Sequence, residues 1–221
     1  KINPTEIKTQ AKIKFIATRD ERGASFMAAT VGRLTGKIGV ALYTLGPGAT
    51  NLLTGAAYAT LGGFPLLLIT GQKPIRKNKQ GEFQKINIVA MMKQVTKFSE
   101  MVSTPSKVSI QMQKAIMLAE SERKGAVHLE LPEDIAAEAS SAQTFILEEA
   151  KYNTAKKGSI EKALKEIENS RNPILIIGRN AKGQSAREAL AAFIEKTKIP
   201  FVSTQMGKGV IDEASSLYIG T

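Results

Sequence analysis

Short apolar runs separated by longer amphipathic stretches constrain this chain more than any other feature. The runs are "KIKFIAT" (12–18), "GVALYTL" (39–45), "PLLLITG" (65–71), "GAVHLELP" (125–132), "PILIIG" (173–178) and "PFVST" (200–204). Several are continuously apolar rather than alternating, which is how parallel strands covered on both faces read. Helical spacing fills the gaps, around 21–34, 49–59, 105–123, 159–170 and 184–197. Thr104 is placed to cap the helix at 105–123, with Pro105 in its first turn. Ile160, Ala163, Leu164 and Ile167 recur at helical spacing in the one at 159–170. Strands alternating with helices predict an α/β fold on a doubly wound parallel sheet.

Residues 133–158 are rich in Ala, Ser, Glu and Lys without a strong period, and read as a linker. Residues 1–132 are then one unit and 159–221 the opening of another. That second piece offers strand, helix, strand and loop, too little to close a core, and no strand precedes residue 12. The chain is therefore expected to be part of a larger protein.

With 43% hydrophobic residues in 221, a core is within reach. No apolar run reaches the ~18 residues of a bilayer span, so no membrane role is expected. No signal-peptide pattern opens the chain. Cysteine is absent, which excludes disulfides, thiolate nucleophiles and thiolate metal sites. A cytoplasmic location is the expectation. The charge of +11 peaks in "GQKPIRKNKQG", with Lys73, Arg76, Lys77 and Lys79. That run reads as a solvated loop. Only Phe64 and Phe83 lie near it, no base-stacking platform, so no nucleic-acid partner is expected.

Ligands of doubly wound sheets bind beyond the carboxyl ends of the strands. Four loops fall there: "TRDERG", "LGPGATN", "GQKPIRKNKQGEFQ" and "PED". "GPGATN" (46–51) is half a dinucleotide fingerprint, with Asn51 in place of the third glycine. It reads equally as a tight turn whose N–H groups offer hydrogen bonds to a polar ligand. "GRNAKGQS" (178–185) has phosphate-loop spacing, but Gln184 occupies the lysine position, so a glycine turn is the better reading. His128, the only histidine, reads as a packed strand residue, and zinc is excluded. Glu21 reads either as a helix-start carboxylate stabilised by the dipole and nearby arginines or as a functional group. A non-catalytic α/β nucleotide-binding module stays open as an alternative.

Several segments together carry a resemblance. "TRDERGASFMAATVGRLTGKIGVALYTLGPGATNLLTGAAYATLGGFPLLLITGQ" resembles the pyrimidine-binding domain of thiamine diphosphate-dependent enzymes, nearest to the acetolactate synthase large-subunit group. "GEFQKINIVAMMKQVTKF" and "GAVHLELPEDIA" continue it, and "NPILIIGRN" with "IPFVSTQMGKGVIDE" resembles the first half of the central domain. The resemblance implies a pyrimidine-binding domain over 1–132, lacking its first strand, and the N-terminal part of a Rossmann-like central domain over 159–221. The family's first glycine-containing loop would precede residue 1. Its pyrophosphate domain, with the magnesium motif, would follow residue 221.

The resemblance also implies chemistry. Glu21 takes the place of the glutamate that hydrogen-bonds N1′ of the aminopyrimidine and favours the imino form, which then deprotonates the thiazolium C2. Pro47 and Asn51 match the turn lining that ring. Gln72 matches a cofactor-side glutamine near the channel. Phe83 and Gln84 match a pair on the substrate side. Arg123 aligns with an arginine that contacts FAD in the biosynthetic branch, whereas the loop at 71–84 looks more like the catabolic, FAD-free branch. Where the family shows Arg-His-Glu-Gln this chain has Arg19, Asp20, Glu21 and Arg22, which changes the charge around Glu21. The implied cofactors are thiamine diphosphate and Mg2+, and the implied assembly is a homodimer or homotetramer with the cofactor between subunits. The implied reaction joins two pyruvates into 2-acetolactate with loss of CO2, in branched-chain amino acid biosynthesis or an acetoin pathway. By itself this stretch of chain is expected to be inactive. Related 2-keto acid decarboxylases and oxidases share much of the pattern.

Overall fold

The structure, a computed structural model, describes residues 14–76, 81–140, 145 and 154–221. The chain forms two compact units that divide at residue 150. In the first, β1 (Gly39–Tyr43), β2 (Leu66–Gln72), β3 (Phe98–Met101) and β4 (Ala126–Pro132) make one parallel sheet in the order β1-β2-β4-β3. Its helices are α1 (Glu21–Thr35), α2 (Pro47–Thr50), α3 (Leu53–Gly62), α4 (Ile88–Lys93), α5 (Val108–Glu120) and α6 (Glu133–Ala136). In the second, β5 (Leu175–Ile177), β6 (Phe201–Ser203) and β7 (Tyr218–Gly220) form a parallel sheet, with α7 (Lys157–Glu168) and α8 (Gln184–Thr197). Ile177, Ile194, Phe201 and Val210 are its core. "GRNAKGQS" there is a 3-10 turn running into α8. Both sheets are parallel α/β sheets, the predicted class.

β2 and β4 hold the centre of the first sheet, paired from Leu66↔Ala126 to Gln72↔Pro132. Leu67, Val127 and Leu129 form one apolar cluster with Ala115 and Ala119 of α5. His128, fully buried, alternates to the opposite face. Thr70 Oγ1 lies 2.8 Å from its Nε2 and Ser99 Oγ 2.8 Å from its Nδ1. The histidine is a packed strand residue, with both ring nitrogens satisfied by hydroxyls. Met92, on α4, is also fully buried, whereas its neighbour Met91 is exposed.

The run of charges at 19–22 builds a helix start. The Asp20 carboxylate accepts from Gly23 N at 3.1 Å and pairs with Arg22 at 3.3 Å. Such a cap contributes about 1 kcal/mol. Gly36, at φ 71°, ends α1 in the left-handed conformation. The face that α1 buries is small: Ser25, Ala28, Ala29 and Gly32. β1 approaches so closely that a Cβ on Gly39 would lie 1.9 Å from the Ala28 carbonyl oxygen. Only glycine fits there.

The run at 12–18 departs from expectation. Residues 14–18 form no strand and Ile16 is 57% exposed, while 12 and 13 lie outside the described residues. An apolar run becomes a strand only where a neighbour supplies its backbone partners, and among the described residues no strand pairs with it. The helix predicted at 49–59 is two helices, α2 and α3, parted at Asn51–Leu52. Pro105–Lys107 is a 3-10 turn before α5, and Thr104 makes no side-chain cap. β3 and β7 were not predicted, being short and carrying polar or small residues. Of the predicted linker, 141–144 and 146–153 lie outside the described residues, as do Lys77 and Lys79. Among the described residues no helix is long and apolar enough to cross a membrane.

Burial holds the His128 imidazole down at about 4, against an ordinary 6.5. The unfolded chain binds that proton below about 6.5 while the folded chain does not. Stability from this source is therefore complete above pH 6.5 and falls, by about 3 kcal/mol, as pH drops to 4. Urea unfolding of wild type and His128→Gln across pH 4–8 checks this: the variant is weaker at pH 8 but has the shallower acid slope. Equal slopes would refute it.

Candidate active site

Parallel pairing brings the carboxyl ends of β1, β2 and β4 to one edge, and the turn leaving β1 meets Glu21 at the start of α1. Glu21 is half-buried. Asn51 Nδ2 donates to its Oε2 at 3.3 Å, and a Cβ on Gly48 would lie 3.3 Å from its Oε1. The same Cβ would meet Thr44 Cγ2 at 2.8 Å, so glycine lets the turn pack closely against the carboxylate. Burial, together with the charge of Glu21 and a hydrogen bond to it, pushes the Tyr43 phenol up. The hydrogen bonds from Arg22 and from Gly23 N hold Asp20 below the usual carboxylate range. Asp20 and Arg22 thus satisfy each other at the helix start.

The 46–51 turn is seated against the segment carrying Gln84. Gly46 has φ 62°, and a Cβ there would meet the Gln84 carbonyl oxygen at 2.7 Å. Both the backbone angle and the close approach require glycine. Gln84 itself holds φ 59°, a left-handed conformation costing about 1 to 3 kcal/mol in a non-glycine residue. Pro47 opens α2 and is exposed. Phe83 is 74% exposed, with Lys73 Nζ 5.3 Å from its ring centroid.

Gln72 ends β2 and is buried. Its Nε2 donates to the Ile86 carbonyl and to Glu130 Oε1, both at 3.1 Å, and its Oε1 accepts from Lys73 N at 2.9 Å. Both amide protons and the amide oxygen are thereby committed to protein partners. Glu130, on β4, is buried, and burial pushes its carboxyl up to about 7 against the opposing hydrogen bond from Gln72. These residues border a cavity of about 670 Å3, lined also by Lys73, Glu82, Lys85 and Met101.

The "PED" motif clamps this region. Asp134 accepts from Ile75 N at 3.1 Å and Arg76 N at 2.9 Å, and Arg76 pairs with Glu138. Partial burial would raise the Asp134 carboxyl, but the hydrogen bonds from Arg76 and Ile75 N–H prevail and hold it below the usual range.

Of the residues singled out in the sequence, Glu21, Pro47, Asn51, Gln72, Phe83 and Gln84 lie along this one edge. Arg123 does not join them. It precedes β4, at the amino edge of the sheet, and its guanidinium donates to the Leu61 carbonyl at the end of α3. Tyr43, Glu130 and Lys73 were missed as site residues. A lone carboxylate inside "HLELP" was the available signal for Glu130, and nothing in sequence marked Tyr43. Among the described residues no group of three His, Cys, Asp or Glu side chains converges to hold a metal. Asp134→Ala should raise amide exchange at 75 and 76 by about tenfold, the loss of about 1.4 kcal/mol of hydrogen bonding to a charged acceptor. Unchanged exchange would show that the clamp is idle.

Comparison with known proteins gives the family. Residues 4–91 match the "Thiamine pyrophosphate enzyme, N-terminal TPP binding domain" model, and residues 160–221 match the family's central domain. Acetolactate synthase from Arthrospira platensis is 36% identical, over 95% of this chain and 37% of that protein. Oxalyl-CoA decarboxylase from Escherichia coli is 32% identical, over 93% and 38%. Human 2-hydroxyacyl-CoA lyase 1 is 31% identical, over 96% and 37%. The chain thus spans a little over a third of the length of these relatives. It belongs to the thiamine pyrophosphate enzyme family, of which it carries the N-terminal and central domain sequences.

Proposed function

We propose that residues 1–132 supply the pyrimidine-ring side of a thiamine diphosphate site, in a protein that condenses two pyruvates to 2-acetolactate and releases CO2. The observation that carries this reading is the half-buried Glu21 carboxylate, held by Asn51 through Oε2 and by a hydrogen bond with Tyr43, with Gly48 close beside its Oε1. A carboxyl so placed matches a ring nitrogen that must gain and lose a proton. Glu21, Pro47 and Asn51 would hold the pyrimidine. Once bound, with Mg2+ at its diphosphate, the cofactor supplies carbanion stabilisation. Glu21 exchanges the proton, and Asn51 and Tyr43 orient its carboxyl. Gln72, its amide fully engaged, shapes the site rather than grasping a ligand. Phe83 and Gln84 would face the substrate, with Lys73 and Lys85 favouring a 2-keto acid carboxylate. Arg123 stands apart at the other edge, so FAD is left out of this reading. Residues 159–221 open the central domain.

A second copy of the chain is the proposed partner. Met27, Val31 and Leu34, 50%, 48% and 78% exposed, lie at helical spacing along α1, whose first residue is Glu21. An apolar stripe of this kind marks a contact surface. Val31→Glu with Leu34→Glu should weaken self-association of the full-length protein, read by sedimentation. An unchanged association constant would dismiss the stripe.

The oxalyl-CoA decarboxylase and 2-hydroxyacyl-CoA lyase relatives, at similar identity, favour a second reading in which the substrate is an acyl-CoA. Product analysis with pyruvate and with oxalyl-CoA separates the two: 2-acetolactate supports the first, formyl-CoA the second. In either case Glu21→Gln in the full-length enzyme should lower kcat by about 100-fold or more. Undiminished turnover would end the assignment of Glu21.

A further inference from the structure

The buried face of the first sheet carries two polar rungs. In one, Ser99, His128 and Thr70 are joined across β3, β4 and β2. The next, two residues on, joins Glu130 to Gln72. The first is sealed in the core. The second borders the cavity and reaches out of the sheet, since the same Gln72 amide also binds Lys73 N and the Ile86 carbonyl. Lys73 leads into the segment clamped by Asp134, and Ile86 follows Phe83 and Gln84 by a few residues. One carboxamide therefore ties together both loops that wall the cavity, and one carboxyl orients that carboxamide.

We propose that Glu130 is a positioning residue: through Gln72 it latches the loops carrying Lys73 and Phe83–Gln84, and so sets the shape of the cavity in which the substrate is received. The proposal rests on the reading of this edge as the substrate side. Glu130 touches neither cofactor nor reacting atoms and acts only through Gln72. With the carboxyl neutral, Oε1 accepts from Gln72 Nε2 and no charge is buried. On ionisation a charge stands in a buried site, and opening of the latch, which hydrates it, becomes easier. Among the described residues, the charged and titratable groups that line the cavity with Glu130 are Lys73, Lys85 and Glu82, and His128 lies two residues back on β4. His128 is uncharged in this range, its imidazole held down by burial.

The sign follows from linkage. The closed latch keeps its proton up to about pH 7, and the opened, hydrated carboxyl loses it near 4.5. Closure is therefore strongest below pH 4.5, weakens as pH rises to 7, and levels off above. The test is amide exchange on the full-length protein, read at the Lys73 N–H. Its protection factor, corrected for intrinsic exchange, should fall by about tenfold per pH unit between pH 5 and 7. Amides of Val127 and Leu129 should not follow. Glu130→Gln should abolish the pH dependence at Lys73. A flat wild-type profile, or the same slope in Glu130→Gln, would overturn the proposal. The wild-type slope decides even if the variant fails to fold. In the holoenzyme, the KM for pyruvate should rise over the same window in wild type but not in Glu130→Gln, with kcat changing less. Absence of any pyruvate turnover would sink the proposed reaction while leaving the exchange result to judge the latch.

Discussion

The parallel pairing of β2 with β4 is the constraint from which the rest of the first unit follows. Seven consecutive residue pairs lock the two strands in one register. That register sends Leu67, Val127 and Leu129 to one face, while Thr70, Gln72, His128 and Glu130 share the other. A shift by one residue would exchange the two sets and place a histidine and a glutamate in the apolar cluster beside α5. Because the strands run parallel, the chain leaves every one of them at the same edge. The turn at 46–51, the loop at 73–76 and the "PED" motif therefore gather beside one another without being neighbours in sequence.

Polarity on the buried face is organised by depth. His128 is satisfied by two hydroxyls in the interior and has no route to a ligand, so its contribution is to the stability of the sheet. Glu130 lies one rung nearer the edge and shares its hydrogen bond with a carboxamide that reaches into two loops. The two groups respond to pH in opposite directions because one is a base and the other an acid, both kept uncharged by burial. Glycine is used with similar economy. Gly39 lets α1 lie against β1, and Gly46 lets the turn lie against Gln84.

The charges around Glu21 illustrate how adjacency in sequence misleads. Asp20 and Arg22 flank it, yet they are engaged with each other and with the first turn of α1. The groups that do touch Glu21 are Asn51, thirty residues on, and Tyr43 at the end of β1. Relatives named for different activities lie at nearly equal identity.

Sequence by itself determined the α/β class and most of the strands and helices, because continuous apolar runs and helical spacing are local signals. It also marked the loops at the carboxyl edge and, through the resemblance, Glu21 and the 46–51 turn. Tertiary structure alone decided that the apolar run at 14–18 is not a strand, since strand formation depends on a partner that no local pattern reveals. It alone decided that Arg123 lies at the far edge, because orientation along a parallel sheet is a property of the assembled sheet. It alone joined Glu130 to Gln72, 58 residues apart. A carboxylate within an apolar run announces that something must satisfy it, but only packing decides what does.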